Sequence, residues 1–129
     1  MRTIRFLTVQ EILEAHAATI RRHGGASGIR DTGLLDSAVH MPQAMFGGEF
    51  LHPDLFDMAA AYLFHLVLNH PFVDGNKRCG WLAARVFLHL NGVRVRVRRA
   101  DAVRLVGRLA AGKVRDWREI SEWFAKRSR

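Results

Sequence analysis

The sequence predicts an all-α fold, read as a single domain over residues 1–129 with at most one short strand or hairpin. Three observations carry this. Apolar residues recur at three- and four-residue spacing in successive stretches, the pattern of helices with one buried face. Glycine, proline and asparagine interrupt the stretches where helices stop. Alternation of period two is clean only from Val93 to Val97, which reads VRVRV. With 129 residues, 49% hydrophobic and 25% charged, the chain can bury one core and is too apolar to be disordered.

The elements follow in order. Thr8 and Glu11 form a capping-box pattern that opens a first helix. Val9, Ile12, Leu13, His16, Ala17 and Ile20 line it, and Gly24 and Gly25 end it. A loop runs to Asp31. Thr32 is placed to cap a short helix with Leu34, Leu35, Ala38 and Val39 inward, stopped by Pro42. Residues 43–52 read as a second loop around Gly47 and Gly48. Pro53 suits the first turn of the next helix, 53–69, striped by Leu55, Met58, Ala59, Tyr62, Leu63 and Leu66. His70 precedes Pro71, which pushes it out of the α region and ends that helix. A tight turn leads into a helix over 76–90, with Cys79, Leu82, Ala83, Val86, Phe87 and Leu90 inward and Asn91-Gly92 as its stop. Residues 101–111 form another, with Val103, Val106 and Leu109 inward. Asp116 and Glu119 make a further capping box for a last helix packed through Trp117, Ile120, Trp123 and Phe124.

Composition narrows the function classes. The one cysteine, Cys79, excludes an intrachain disulfide framework and a cysteine-based zinc cluster, and it fits a reducing compartment. No 18-residue apolar run is present to cross a membrane. The stretch MRTIRFLTVQEILEAH lacks the apolar segment and cleavage site of a secretory signal, so the expected location is cytoplasmic. Charge is uneven. Residues 1–76 hold five basic and eight acidic groups and residues 77–129 hold fifteen and four, so the net +8 divides into −3 and +11. Seventeen of the twenty basic residues are arginine, whose planar fork grips phosphates and carboxylates. Such a half attracts phosphates, nucleic acid or an acidic protein. The plain alternative is a solvated, arginine-rich surface.

The most informative stretch is His70-Pro71-Phe72-Val73-Asp74-Gly75-Asn76-Lys77-Arg78, between two amphipathic helices. The second helix begins with unpaired N–H groups and the positive end of its dipole. Gly75 lets the backbone approach an anion, and Asn76, Lys77 and Arg78 add donors and charge at the same point. Asp74 is a hard oxygen ligand of the kind Mg²⁺ takes together with phosphates and water. His70 is available as a proton acceptor at neutral pH. A base, a metal carboxylate and a phosphate cradle are the parts of phosphoryl or nucleotidyl transfer. The competing reading is an ordinary polar turn in which these residues cap helices or face water. Two basic residues in a first helical turn oppose the dipole, which favours an anion there.

This stretch resembles the signature of the Fic/Doc superfamily, H-P-F-x-[D/E]-G-N-[G/K]-R, present in full from His70 to Arg78. GIRDTGLLDSAV, GGEFLHPDLF and the helix ending in NG resemble the death-on-curing (Doc) branch, with the likeness clear over residues 5–97. The resemblance implies a helical fold whose central helix-loop-helix carries the signature, and a toxin of a toxin–antitoxin pair. It implies His70 as the catalytic base toward a target hydroxyl and Asp74 as the holder of Mg²⁺ on the phosphates of ATP. Gly75, Asn76, Lys77 and Arg78 become the nucleotide-binding loop, with Lys77 and Arg78 also catalytic, and Phe72 the buried structural anchor.

Adenylyl-transferring members usually carry glycine at position 77. Doc members carry lysine and pass the γ-phosphate of ATP to a threonine of elongation factor Tu. Many Fic enzymes have a second arginine where this chain has Trp81. Both differences point to a kinase, whereas Pro71 decides nothing between the branches. The inhibitory motif [S/T]-x-x-x-E-[G/N] does not occur in the chain, so a separate Phd-like antitoxin is expected. The alternatives are a Fic-type adenylyltransferase (protein AMPylation), and a catalytically silent interaction or nucleic-acid-binding protein. No helix-turn-helix or zinc finger is legible to support direct nucleic-acid contact.

Other polar residues have plainer readings. His16, His40, His65 and His89 read as structural or surface histidines, with no spacing that suggests zinc. Cys79 reads as a small core residue, and Trp81 as core or pocket wall. Arg30 and Asp31 read as a structural salt bridge and cap, or as part of a target-binding loop. Arg94, Arg96, Arg98 and Arg99 read as a solvated face or a docking surface for an acidic partner.

Overall fold

The computed structural model describes residues 3–128, so Met1, Arg2 and Arg129 lie outside it, two of them counted in the charges above. Among the described residues there are six α-helices: α1 (Val9–His23), α2 (Thr32–His40), α3 (Leu55–Asn69), α4 (Asn76–Leu90), α5 (Arg99–Ala110) and α6 (Trp117–Lys126). A 3-10 turn, Met41–Gln43, follows α2. Then β1 (Met45–Phe46) pairs antiparallel with β2 (Glu49–Phe50), Met45 opposite Phe50 and Phe46 opposite Glu49. The architecture is the expected all-α fold with one minor hairpin. No helix among the described residues is long and apolar enough to cross a membrane.

The centre of the fold is α3. Its consecutive residues Met58, Ala59, Ala60, Ala61, Tyr62 and Leu63 are all fully buried, so this helix has no solvent face along that turn and a half. A helix apolar all round belongs inside a core, and α2, α4 and α6 pack around this one. α4 comes close to α3 at Gly80. A Cβ there would lie 3.1 Å from Val67 Cγ2 and 3.3 Å from Leu63 Cδ1, so the α3–α4 contact uses the missing side chain. The Tyr62 hydroxyl, buried beneath the N-terminal segment, accepts the Leu7 N–H at 2.9 Å, and burial pushes its pKa up to about 12.

Several local expectations shift. The predicted capping box of α1 is present, with Thr8 and Glu11 satisfying each other's backbone N–H groups. For α2 the cap is Asp31 rather than Thr32, because the carboxylate reaches the Leu34 N–H at 2.9 Å. Pro53 stands outside α3, whose capping box is Asp54 with Asp57. Residues 43–52 are not simply a loop, since the hairpin lies within them and leaves Phe46 79% exposed. α5 starts two residues early, at Arg99, and turns Val103 outward while Val106 and Leu109 stay buried. Leu90 likewise faces solvent. At α6, Asp116 accepts from the Arg118 N–H and Glu119 from the Arg115 N–H, so the reciprocal box does not form. Val93–Val97 is extended but makes only an isolated bridge, Val95 to Ser128.

One buried and one half-buried histidine lie on α3 and just before it, near α6 and the turn after α2. His52 is 3% exposed, its ring set edge-on to Trp117 at 4.6 Å. It bonds the Met41 backbone, and its Nδ1 has no partner among the described residues. His65 is half-buried, with the Phe64 ring edge-on to it. Burial lowers both pKa values, that of His65 from 6.5 to about 4, with His52 adding to the effect. For His52, Asp57 works the other way and Arg118 in the same direction as burial. The native state therefore holds these imidazoles neutral.

The unfolded chain takes up protons near pH 6.5 and the folded one does not until about pH 4, so stability is full above 6.5 and declines between those values. Thermal melts across this window should show Tm falling with pH, and less steeply in His65→Leu. Equal slopes in the two proteins would contradict this account.

Candidate active site

The chain reverses between α3 and α4 over residues 70–75, and the reversal is built around Phe72. Its side chain is 1% exposed and lies flat on the His16 ring of α1, centroids 3.7 Å apart and planes 6° from parallel. The Asn76 side chain closes the turn from the other side. Its Oδ1 accepts the Phe72 N–H at 3.0 Å, and its Nδ2 donates to the Phe72 carbonyl at 3.0 Å. His16 Nε2 lies 2.7 Å from the Asp74 carbonyl. A carbonyl only accepts, so this nitrogen carries the hydrogen. The loop is further tied to residues 28–31. Val73 N–H donates to the Gly28 carbonyl at 3.0 Å, and the Arg30 and Asp31 N–H groups both donate to the Pro71 carbonyl.

His70 caps α3 in the left-handed conformation, φ 51° and ψ 54°, the one non-glycine residue with positive φ among those described. Such a conformation costs on the order of 1–3 kcal/mol and persists where neighbours enforce it. Here the neighbour is Arg30. Its Nε donates to the His70 carbonyl at 2.6 Å and its Nη2 to the Asn69 carbonyl at 2.9 Å, so one guanidinium holds the last carbonyls of α3. A cation at that end also complements the helix dipole. The His70 side chain is exposed, and no described residue bonds its imidazole.

Asp74 is fixed through both carboxylate oxygens. Oδ1 accepts the Gly75 N–H at 2.9 Å and Oδ2 the Ala26 N–H at 3.3 Å. Gly25 makes room for it, since a Cβ there would come 2.7 Å from Oδ2. Gly75, at φ 80°, caps α4 with no side-chain bond, so the N–H groups of Asn76, Lys77 and Arg78 have no acceptor among the described residues. Lys77 and Arg78 extend into solvent from the same turn. His23, at the end of α1, is held below its ordinary pKa by desolvation and by the charges of Arg78, Arg22 and Arg99. The arrangement is an oriented carboxylate and three free N–H donors beneath a cluster of cations, with an unpartnered imidazole on the same loop. It suits a phosphate-bearing ligand. No three metal-binding side chains converge among the described residues. A hard cation at Asp74 would complete its shell with phosphate oxygens and water, the usual arrangement for Mg²⁺.

Comparison with known proteins identifies the family. The profile described as the Fic/DOC family matches residues 6–88, which hold α1 to α3, the whole loop and all but the last two residues of α4. The chain is 47% identical to Toxin Doc of Mycolicibacterium smegmatis over 90 residues, which is 70% of this chain and 67% of the relative. It is 36% identical to Protein kinase doc of Escherichia phage P1 over 92 residues, 71% and 72% of the two chains. The chain belongs to the Fic/DOC family. Within that family it falls in the Doc branch.

All the residues singled out in the Fic/Doc signature sit on this one loop and the first turn of α4, but they divide by exposure. His70, Asp74, Lys77 and Arg78 are exposed, whereas Phe72 and Asn76 are buried, the latter 5% exposed. The Asn76 side chain is committed to Phe72, which leaves its main-chain N–H for an anion. Cys79 is a core residue whose thiol burial pushes up to about 12, far from a reactive thiolate. Trp81 stacks on Phe124 at 5.8 Å and belongs to the contact with α6. Arg30 and Asp31 form no ion pair with each other among the described residues, so the expected salt bridge is replaced by two separate helix-end bonds.

Sequence reasoning missed three supports of the Fic/Doc loop: His16 under Phe72, the Arg30 fork and the Gly25 notch. Each reaches the loop from at least 39 residues away in sequence. Local pattern carries no such signal.

The role of Asn76 is testable. Asn76→Ala leaves a buried N–H and a buried carbonyl of Phe72 unpaired, each costing about 1–3 kcal/mol. Urea denaturation should show a loss of at least about 2 kcal/mol, with Asn76→Asp, which keeps the acceptor, losing less. An alanine variant as stable as the parent would mean that the turn is not closed by this side chain.

Proposed function

We propose that the chain is a Doc-type toxin that transfers the γ-phosphate of ATP to a serine or threonine hydroxyl of a target protein, elongation factor Tu being the expected one. The observation that carries this is the open N-terminus of α4, where N–H groups without an acceptor and the exposed Lys77 and Arg78 follow directly on the loop that bears the exposed Asp74 and His70. The phage relative, Protein kinase doc, supports the reaction class. Adenylyl transfer would use the same loop. The long cationic chain of Lys77 and the engagement of Trp81 with α6, where an arginine clamp would otherwise stand, count against it.

The donor set suits Mg²⁺-ATP, because the carboxylate is held by two N–H groups yet retains free lone pairs. Bound there, the nucleotide supplies the phosphoryl group and the metal supplies charge neutralisation. His70 orients the target hydroxyl and takes its proton as the new oxygen–phosphorus bond forms and the bond to the β–γ bridging oxygen breaks, leaving ADP. Asp74 would hold the metal. The N–H groups of Asn76, Lys77 and Arg78 and the two cationic side chains face the charge that shifts toward the leaving group. The N–H groups are already in place, because Phe72, His16 and Asn76 fix the backbone. On this reading the reaction runs in the cytoplasm, and restraint comes from a separate Phd-like antitoxin.

Two labelled nucleotides decide the reaction in an extract containing elongation factor Tu. γ-labelled ATP should label the target and α-labelled ATP should not; the reverse would establish adenylyl transfer. His70→Asn, chosen because asparagine tolerates the left-handed region, should lower turnover by about 10²- to 10⁴-fold with nucleotide affinity nearly unchanged. Asp74→Ala should weaken metal-dependent nucleotide binding and turnover together. Full turnover in the His70→Asn variant would remove the base from the mechanism.

A further inference from the structure

A second charged feature lies at the other end of α4. Arg85 stands nine residues beyond Asn76, about 13 Å along the helix axis. Between it and the extended segment 93–98 runs an open groove formed by two adjoining depressions of about 570 and 490 Å³, both lined by Arg85, Val95 and Arg96. Residues of the segment alternate. Val93, Val95 and Val97 are half-buried, while Arg94, Arg96 and Arg98 are exposed, as period two requires. Arginines two apart on an extended chain stand about 6.6 Å from one another.

Two further facts describe what this groove lacks. Among the described residues, none of the side chains of Arg85, Arg94, Arg96 and Arg98 has a hydrogen-bond acceptor or ion-pair partner. The one carboxylate in the lining, Asp101, is already taken by Arg104 at 3.1 Å. Second, the segment is paired along one edge only. Arg96 N–H donates to the Arg127 carbonyl at 2.8 Å, in the bridge that joins Val95 to Ser128. The N–H groups of Val95 and Val97, which point to the opposite edge, have no acceptor among the described residues.

We infer that this groove docks an extended peptide segment of a partner protein in which acidic and apolar residues alternate, added as a strand along the open edge of 95–98. Three chemistries converge on that occupant. Its carbonyls meet the free N–H groups, its apolar side chains meet the valine floor, and its carboxylates meet the unpaired guanidinium groups of Arg94, Arg96 and Arg98 and that of Arg85, which lies over the Trp81 ring but has no anionic partner among the described residues. A nucleic-acid strand would satisfy the arginines alone. The one ring in the lining is the imidazole of His89, too little to stack successive bases, and Trp81 is engaged by Phe124, Trp123 and Arg85. The inference is independent of the chemistry assigned to the loop at the start of α4.

The test is fluorescence anisotropy of the full chain with three labelled probes: a short peptide of alternating glutamate and valine, the same peptide N-methylated at alternate residues, and a single-stranded oligonucleotide of equal charge. The plain peptide should bind with an affinity that falls as salt rises. The combined variant Arg94→Gln, Arg96→Gln, Arg98→Gln, shown by its far-UV spectrum to keep the fold, should bind it at least about tenfold more weakly. N-methylation, which leaves charge unchanged and blocks strand pairing, should weaken binding comparably. The inference is overturned if the peptide does not bind, if the arginine variant or the N-methylated probe binds as well as its parent, or if the oligonucleotide binds as tightly as the peptide.

Discussion

The packing of Phe72 against His16 is the contact on which the loop and the helices around it depend. A turn as polar as 70–78 has little apolar surface with which to fix its own shape. Burying one aromatic ring flat on a second ring from α1 gives it an anchor in the core. Once Phe72 is placed, the Asn76 side chain can satisfy both of its backbone groups, and that in turn sets the first residue of α4. The axis of α4 is set independently by its close approach to α3 at Gly80. The free N–H groups at the start of α4 are therefore aimed by the core, and the energy that holds them comes from burial and stacking rather than from any ligand.

Local chemistry was the part of this fold legible in the sequence. The range 76–90 for α4, the capping box of α1 and the stop at His70 depend on residues near one another in the chain, and each was read correctly. The signature loop was legible for the same reason. What was not legible is competition and distance. Asp31 outcompeted Thr32 as a cap because both are good caps and only the tertiary position of the chain decides which reaches the N–H. α3 was read as having one apolar stripe, yet its run of alanines lets neighbours close on every side. Val103 was assigned inward by spacing, but α5 lies at the edge of the bundle and buries a narrower face. His16 and Arg30 carried no local signal at all, since their partners lie across the fold.

Part of the charge asymmetry seen in the sequence falls in two separate places. One is the start of α4, where Lys77 and Arg78 stand against the positive end of a helix dipole and near Arg22 and Arg99. Such an arrangement is unfavourable in the free protein and is relieved by an anion. The other is the groove at the far end of α4, where arginines sit above valines beside an unpaired strand edge. The first offers point charges and backbone donors suited to phosphate. The second offers a long, shallow, partly apolar surface suited to a chain. One helix thus presents two anion-attracting surfaces of different shape, and composition alone could not tell them apart.

The central claim is that the loop is built for an anion before any ligand arrives. The most direct measurement is an amide ¹H–¹⁵N titration of the chain with Mg²⁺-ATP, with adenosine as the control. The account predicts that the amides of Asn76, Lys77 and Arg78 shift with the nucleotide and not with adenosine, while those of Phe72 and its neighbours in the core stay nearly where they were. If those three amides do not respond, or if the signals of 70–76 and of His16 rearrange together on binding, the loop is not a preformed anion site and the account fails.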